Sequence, residues 1–240
     1  MSDITFVFLI GLSLFTSLIS AAFGIGGGTI MLAVLAQVLP VKAIIPVHGV
    51  IQIGSNLGRT AALASQVRWQ YLLWFFLGCL VGAVVGGKVV ISLADNIPRI
   101  ILGCFILYSV WGPKFTSRSK DSRTIAIGGF VSTLLTMFVG ATGPFILALL
   151  KALELPRVAL VATNAACMVL QHSLKVIVFG VLGFAYGPYL SLILLMIISG
   201  FIGTLIGKRV LLKINEDKFR LVINVLLSVL AIRLLISAVI

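Results

Sequence analysis

The sequence is poor in charge. Of 240 residues, 18 are Lys or Arg and 6 are Asp or Glu, together 10%, against roughly 25% in soluble domains. So few charges cannot cover a surface of this size, which excludes an ordinary water-soluble globule. Acids are scarcest of all: Asp3, Asp95, Asp121, Glu216 and Asp217 lie at ends or in loops, and Glu154 lies beside Lys151 and Arg157 near a turn. No carboxylate pair is left for a proton relay, a metal ion or acid–base hydrolysis, which argues against an enzyme and against a cationic substrate. The cysteines, Cys79, Cys104 and Cys167, are odd in number, sit in apolar runs and form no C-x-x-C. Neither a disulfide framework nor a zinc or other metal site is expected. No Lys or Arg precedes the apolar run from Ile4 to Phe23, so that run reads as a first membrane helix and not as a cleavable signal.

Apolar residues are abundant instead. They make up 60% of the chain before its 24 glycines are counted, where soluble domains reach roughly 45–50% with glycine included. The outer surface must therefore face membrane lipid. At about 20 residues per span the chain has room for roughly ten segments and for no soluble domain. The net charge of +12 fits Lys and Arg gathered in the cytoplasmic loops of a multi-pass protein of the cell inner (plasma) membrane. No nucleic-acid-reading motif accompanies it, so no nucleic-acid partner is expected.

The chain repeats itself. GIGGGTIMLAVLAQVLPVKA from Gly24 and GATGPFILALLKALELPRVA from Gly140 share Gly at their first and fourth positions and Pro at Pro40 and Pro156, an offset of 116. Further on, Gly78, Gly82, Gly86 and Lys88 match Ser199, Gly203, Gly207 and Arg209 at an offset of 121. Residues 1–113 thus form a first transmembrane repeat, 114–123 a basic cytoplasmic linker and 124–240 a second repeat. Apolar patterning predicts helices at about 4–22, 28–39, 43–65, 71–93 and 98–112, then at about 125–140, 143–155, 157–181, 185–207 and 218–240. The second helix of each set is too short for a ~30 Å hydrocarbon layer. If it forms a broken-helix hairpin with the helix before it, each half makes three net crossings and the second half is inverted. Inversion puts the linker, Arg68, Lys151, Arg157 and the basic cluster at 208–220 on one side, leaving Lys42, Lys88 and Arg99 on the other. The expected fold is all-α and polytopic, with two inverted repeats, each a short hairpin plus three spanning helices.

Broken helices of inverted-repeat transporters aim free N–H groups and positive dipole ends at anions near mid-bilayer. Gly26, Gly27 and Gly28 in the first repeat, and Thr142 and Gly143 ahead of Pro144 in the second, have the required composition. Each short helix is followed by a polar stripe. His48, Gln52, Ser55 and Arg59 stand at i, i+4, i+7 and i+11 with Asn56 alongside; Asn164, Met168, Gln171 and Lys175 repeat the stripe, and His172 replaces Asn56. Polar side chains at membrane depth face a bundle interior or a wet cavity, so the two stripes should face each other. Gln52, Asn56, Asn164 and Gln171 can donate amide N–H groups to an oxyanion, or can bond helix to helix. Arg59 and Lys175 supply positive charge without a nearby acid, unless each snorkels to an interface. His172 is the residue type that can sense or carry a proton near neutral pH, or can serve as a packed hydrogen-bond donor. The glycine runs at 78–86 and 199–207 read as close-packing helix faces.

The GIGGG-to-Pro40 segment, its weaker copy from Gly140 to Pro156 and the Asn- and Gln-bearing helices after them resemble the sulfite exporter TauE/SafE family, also called the 4-toluene sulfonate uptake permease family. The likeness spans nearly the whole chain. It implies a prokaryotic-type inner-membrane permease for sulfite, sulfonates or related sulfur-containing or organic anions, with the loops at Gly26–Gly28 and Thr142–Gly143 lining the substrate site. Family members often carry Pro after the first glycine run, where this chain has Thr29 and Ile30. The reading that follows is a secondary transporter working by alternating access; a passive anion channel is the alternative. No cofactor is expected. A proton or a sodium ion held by backbone carbonyls would serve as coupling ion, and exposed glycine faces would suit a homodimer.

Overall fold

The computed structural model describes residues 2–23, 26–90, 97–112, 121–210 and 216–239. Most of the basic linker, and Gly24 and Ile25 of the first glycine run, lie outside the described residues. Ten α-helices and no strands are found among those described: α1 (Asp3–Phe23), α2 (Gly27–Val38), α3 (Val41–Ala62), α4 (Trp69–Val90), α5 (Ile97–Trp111), α6 (Ser122–Val139), α7 (Gly143–Lys151), α8 (Arg157–Val181), α9 (Leu190–Val210) and α10 (Glu216–Val239). Among the described residues five stretches, in α1, α4, α6, α8 and Gly187–Gly207, are long and apolar enough to span a membrane. α3 has the length but carries the polar stripe.

Local chemistry sets the boundaries. Pro40 and Pro156 cap α3 and α8, whose first turns need no N–H from them. Asp121 caps α6 by accepting the Thr124 N–H at 2.6 Å. α7 ends at Lys151 and not near 155, because Glu154 turns the chain with φ 53° and Pro156 disfavours helix at the residue before it. α9 begins at Leu190 and not 185, after a 3-10 turn over Gly187–Tyr189. With twelve and nine residues, α2 and α7 rise about 18 and 14 Å.

The halves exchange partners: α4 packs on α6, and α9 packs on α1. Gly78, Gly82 and Gly86 of α4 lie in turn against Ala126, Phe130 and Met137 of α6, so those helices run parallel. Gly200, Gly203 and Gly207 of α9 do the same against Ser13, Leu14 and Leu18 of α1. α3 runs parallel to α9, Gly54 meeting Ile197 and Gly58 meeting Phe201. α4 runs parallel to α8, since the Arg68 N–H donates to Thr163 Oγ1 near its start and Gly87 meets Val178 near its end. α3 opposes α8: Gly49 lies on Lys175, while Asn56 and Arg59 share a cavity with Asn164. Hence α1, α3 and α9 point one way and α4, α6 and α8 the other. Each of α6, α8 and α9 is the copy of α1, α3 or α4, so every copy opposes its original.

Two apolar clusters fill the interior, one built largely on α2, α3 and α9, the other on α4, α7 and α8. Between α3 and α8 the buried residues turn polar. The glycine faces at 78–86 and 200–207 pack against helices of the same chain.

Candidate functional site

Both stripes turn inward. His48, Gln52, Ser55, Asn56 and Arg59 on α3, and Asn164, Met168, Gln171, His172 and Lys175 on α8, are all buried. Snorkelling is thereby excluded for Arg59 and Lys175. The helix breaks also converge: Gly140, at φ 74°, lies against the Leu32 side chain of α2.

A small cavity of about 30 Å³ opens where they meet. Of the residues predicted for the site, Gly26, Gly28, Gln52, Asn56, Arg59, Gly143 and Asn164 line it. The first turns of α2 and α7 both contribute. Gly26 (φ 101°) has no side chain to cap α2, and the first intrahelical bond runs from the Ile30 N–H to the Gly26 carbonyl. The amides of Gly27, Gly28 and Thr29 therefore have no carbonyl within the helix to bind. On α3, Asn56 Nδ2 donates to the Gln52 carbonyl (2.8 Å) and to Gln52 Oε1 (3.3 Å), and Asn56 Oδ1 accepts from Arg59 Nη1 (3.2 Å). Asn56 thus holds the guanidinium, and the Gln52 amide keeps its donor. Arg59 Nε and Asn164 Oδ1 are buried with no hydrogen-bond partner, and no acid pairs with Arg59 among the described residues.

The other predicted residues stand behind this wall. Thr142 Oγ1 donates to Gln171 Oε1 (2.8 Å), and Gln171 Nε2 donates to Thr133 Oγ1 (3.4 Å), tying the α7 cap to α8 and α6. Lys175 Nζ donates to the Gly140 carbonyl at 3.0 Å, a cation at the C-terminal end of α6, where the helix dipole favours it. His48 donates from Nε2 to the Gly28 carbonyl (3.0 Å). His172 meets the His48 ring edge-on at 5.8 Å, with both its own nitrogens unpartnered among the described residues.

A family model described as Sulfite exporter TauE/SafE matches residues 9–234. The chain belongs to the sulfite exporter TauE/SafE family. No match is found among curated proteins or among solved structures. As a TauE/SafE protein it is a multi-pass membrane transporter of the sulfur-anion class.

Sequence reasoning left out of this TauE/SafE site Ser20, Thr29, His48, Ala141, Pro144 and Met168, which also line the cavity. A signal for Ser20 was present. Ser13, Thr16, Ser17 and Ser20 form a helical stripe on α1, and at an offset of 116 Ser132, Thr133 and Thr136 repeat it on α6. The copies make matching bonds: Ser17 and Ser55 hydroxyls lie 3.0 Å apart, as Thr133 bonds Gln171.

The matched glycines Gly27 and Gly143 differ in role. A Cβ on Gly27 would collide with the Thr16 carbonyl and Ser20 Oγ, whereas one on Gly143 would sit 3.6 Å from Met168 Cε. Gly27→Ala is expected to destabilise the folded protein by about 1–3 kcal/mol, as overpacking does, and Gly143→Ala by less than about 0.5 kcal/mol. Thermal unfolding of both variants in detergent checks this, and equal melting temperatures would refute it.

Proposed function

We propose that the protein is a secondary transporter of a small anion, sulfite, a sulfonate or a related sulfur-containing or organic anion, carried by alternating access in the cell inner membrane. The observation that carries this reading is the Arg59 guanidinium, buried beside the first turn of α2 in a polar cavity with no acid to neutralise it among the described residues. An unpaired buried cation is costly, and an entering anion supplies the missing partner. The α2 amides, the Gln52 amide and Asn164 add donors around the same space. The inverted arrangement supports two states of opposite access, because exchanging the conformations of the two halves turns one state into the other. Residues 1–113 and 124–240 are the two units of that exchange.

Purified protein in liposomes is expected to take up radiolabelled sulfite or a sulfonate with saturation, and to take it up faster when unlabelled anion is loaded inside. Uptake without that trans-stimulation would favour a passive channel. Coupling to a proton or sodium gradient belongs to the same proposal, and imposing each gradient separately across the liposome reads it.

A further inference from the structure

The repeat lets each wall of the cavity be compared with its own copy, and the two walls differ in chemistry. The first half contributes Ser20, Thr29, His48, Gln52, Asn56 and Arg59. The second half contributes one polar side chain, Asn164; the rest of its wall is Ala141, Gly143, Pro144 and Met168. At an offset of 116 Met168 stands where the first half has Gln52, and Pro144 stands where it has Gly28.

The helix ends differ in the same sense. Of the three α2 amides with no carbonyl in the helix to bind, those of Gly28 and Thr29 belong to residues that line the cavity. In α7, Pro144 has no N–H and the Phe145 N–H is bonded to the Thr142 carbonyl at 3.0 Å, leaving the amide of Gly143. Arg59 faces the cavity, while its counterpart Lys175 is bonded to the Gly140 carbonyl outside the lining. The lining's positive charge and most of its donors come from the first half, and the second half supplies a thioether and a pyrrolidine ring.

We propose that the cavity is polarised between the halves and that Met168 sets its specificity: the oxygens of the anion face α2 and Arg59, and a short carbon tail packs on Met168 and Pro144. This rests on the anion-transport reading above and narrows it to oxyanions whose sulfonate or carboxylate head carries a tail of one or two carbons, in preference to inorganic oxyanions. Sulfite has the same three oxygens, with a lone pair on sulfur where a sulfonate carries carbon, so it offers the Met168 wall no apolar contact. Each buried methylene improves binding about fourfold, and the small cavity limits how many fit.

The test is tracer exchange by the full-length protein in liposomes, using radiolabelled sulfite and ethanesulfonate, with unlabelled sulfite, methanesulfonate, ethanesulfonate and propionate as competitors. Wild type is expected to prefer ethanesulfonate to methanesulfonate and both to sulfite. Met168→Gln, which copies Gln52 into the second half, is expected to lower the ethanesulfonate-to-sulfite ratio about tenfold, since a buried amide facing carbon is left unpaired. Met168→Leu keeps the wild-type ratio. Propionate outcompeting every sulfonate would support the polarity and identify the head as a carboxylate. Sulfite outcompeting ethanesulfonate in wild type would overturn the proposal, a result that stands even if Met168→Gln does not fold. An unchanged ratio in folded Met168→Gln would overturn it too. Absence of exchange for every anion would instead overturn the transport reading beneath it.

Discussion

Arg59→Ala is expected to lower anion uptake about a hundredfold while leaving the empty protein as stable as wild type or more so. The two effects have one cause. Arg59 is 4% exposed and its hydrogen bond among the described residues is to Asn56, a neutral amide. Its charge is therefore costly until an anion arrives, and hydrogen bonds to charged groups then contribute about 1.5–3 kcal/mol each. Alanine removes the buried charge together with the anion's partner. Arg59→Lys keeps the charge but loses the planar fork, and is expected to recover only part of the rate. Asn56→Ala releases the guanidinium from its holder and should reduce uptake less, about tenfold. Initial uptake rates and thermal unfolding with and without added anion measure both effects, since a ligand raises the melting temperature only of a protein that binds it. Uptake by folded Arg59→Ala within about threefold of wild type would remove Arg59 from the site, that being less than one such bond is worth.

The second large effect lies far from the cavity. Gly203→Leu is expected to yield no monodisperse protein from detergent, and Gly78→Leu likewise. A Cβ on Gly203 would overlap the Leu14 carbonyl oxygen of α1, and one on Gly78 the Ala126 carbonyl oxygen of α6. Both obstacles are backbone, so no rotamer change relieves them, and whole helices must separate. Loss of that packing exceeds the about 1–3 kcal/mol typical of overpacking. Gly11→Ala is the control. Nothing lies within 4 Å of a Cβ there, and the helix should gain about 0.5–1 kcal/mol. Size-exclusion profiles of the three variants decide the matter: a sharp wild-type peak for Gly203→Leu would mean that α1 and α9 are not in backbone contact.

Much of this was legible in the sequence because a repeat shows the same constraint twice. The offset of 116 located both helix breaks, and the i, i+4, i+7, i+11 spacing located both buried stripes. Glycine spacing marked the tight helix faces but could not name their partners, because a face without side chains carries no complementary pattern. The pairing of α4 with α6 and of α9 with α1 therefore had to come from coordinates. Matched positions need not share a partner. Arg59 and Lys175 occupy matched positions, yet one faces the cavity and the other bonds a backbone carbonyl. Offsets align residues; they do not report which carbonyl lies within reach of an ammonium group. Gln171 could be read either as an anion donor or as a bond between helices, and its amide is bonded to Thr142 and Thr133.

The exchange of helices between halves bears on synthesis. When translation has delivered only α1 to α5, α1 still lacks α9 and α4 still lacks α6. A nascent first half is thus an unfinished object that must wait in the bilayer for its complement, and every protomer completes its interior late, after α9 has left the ribosome.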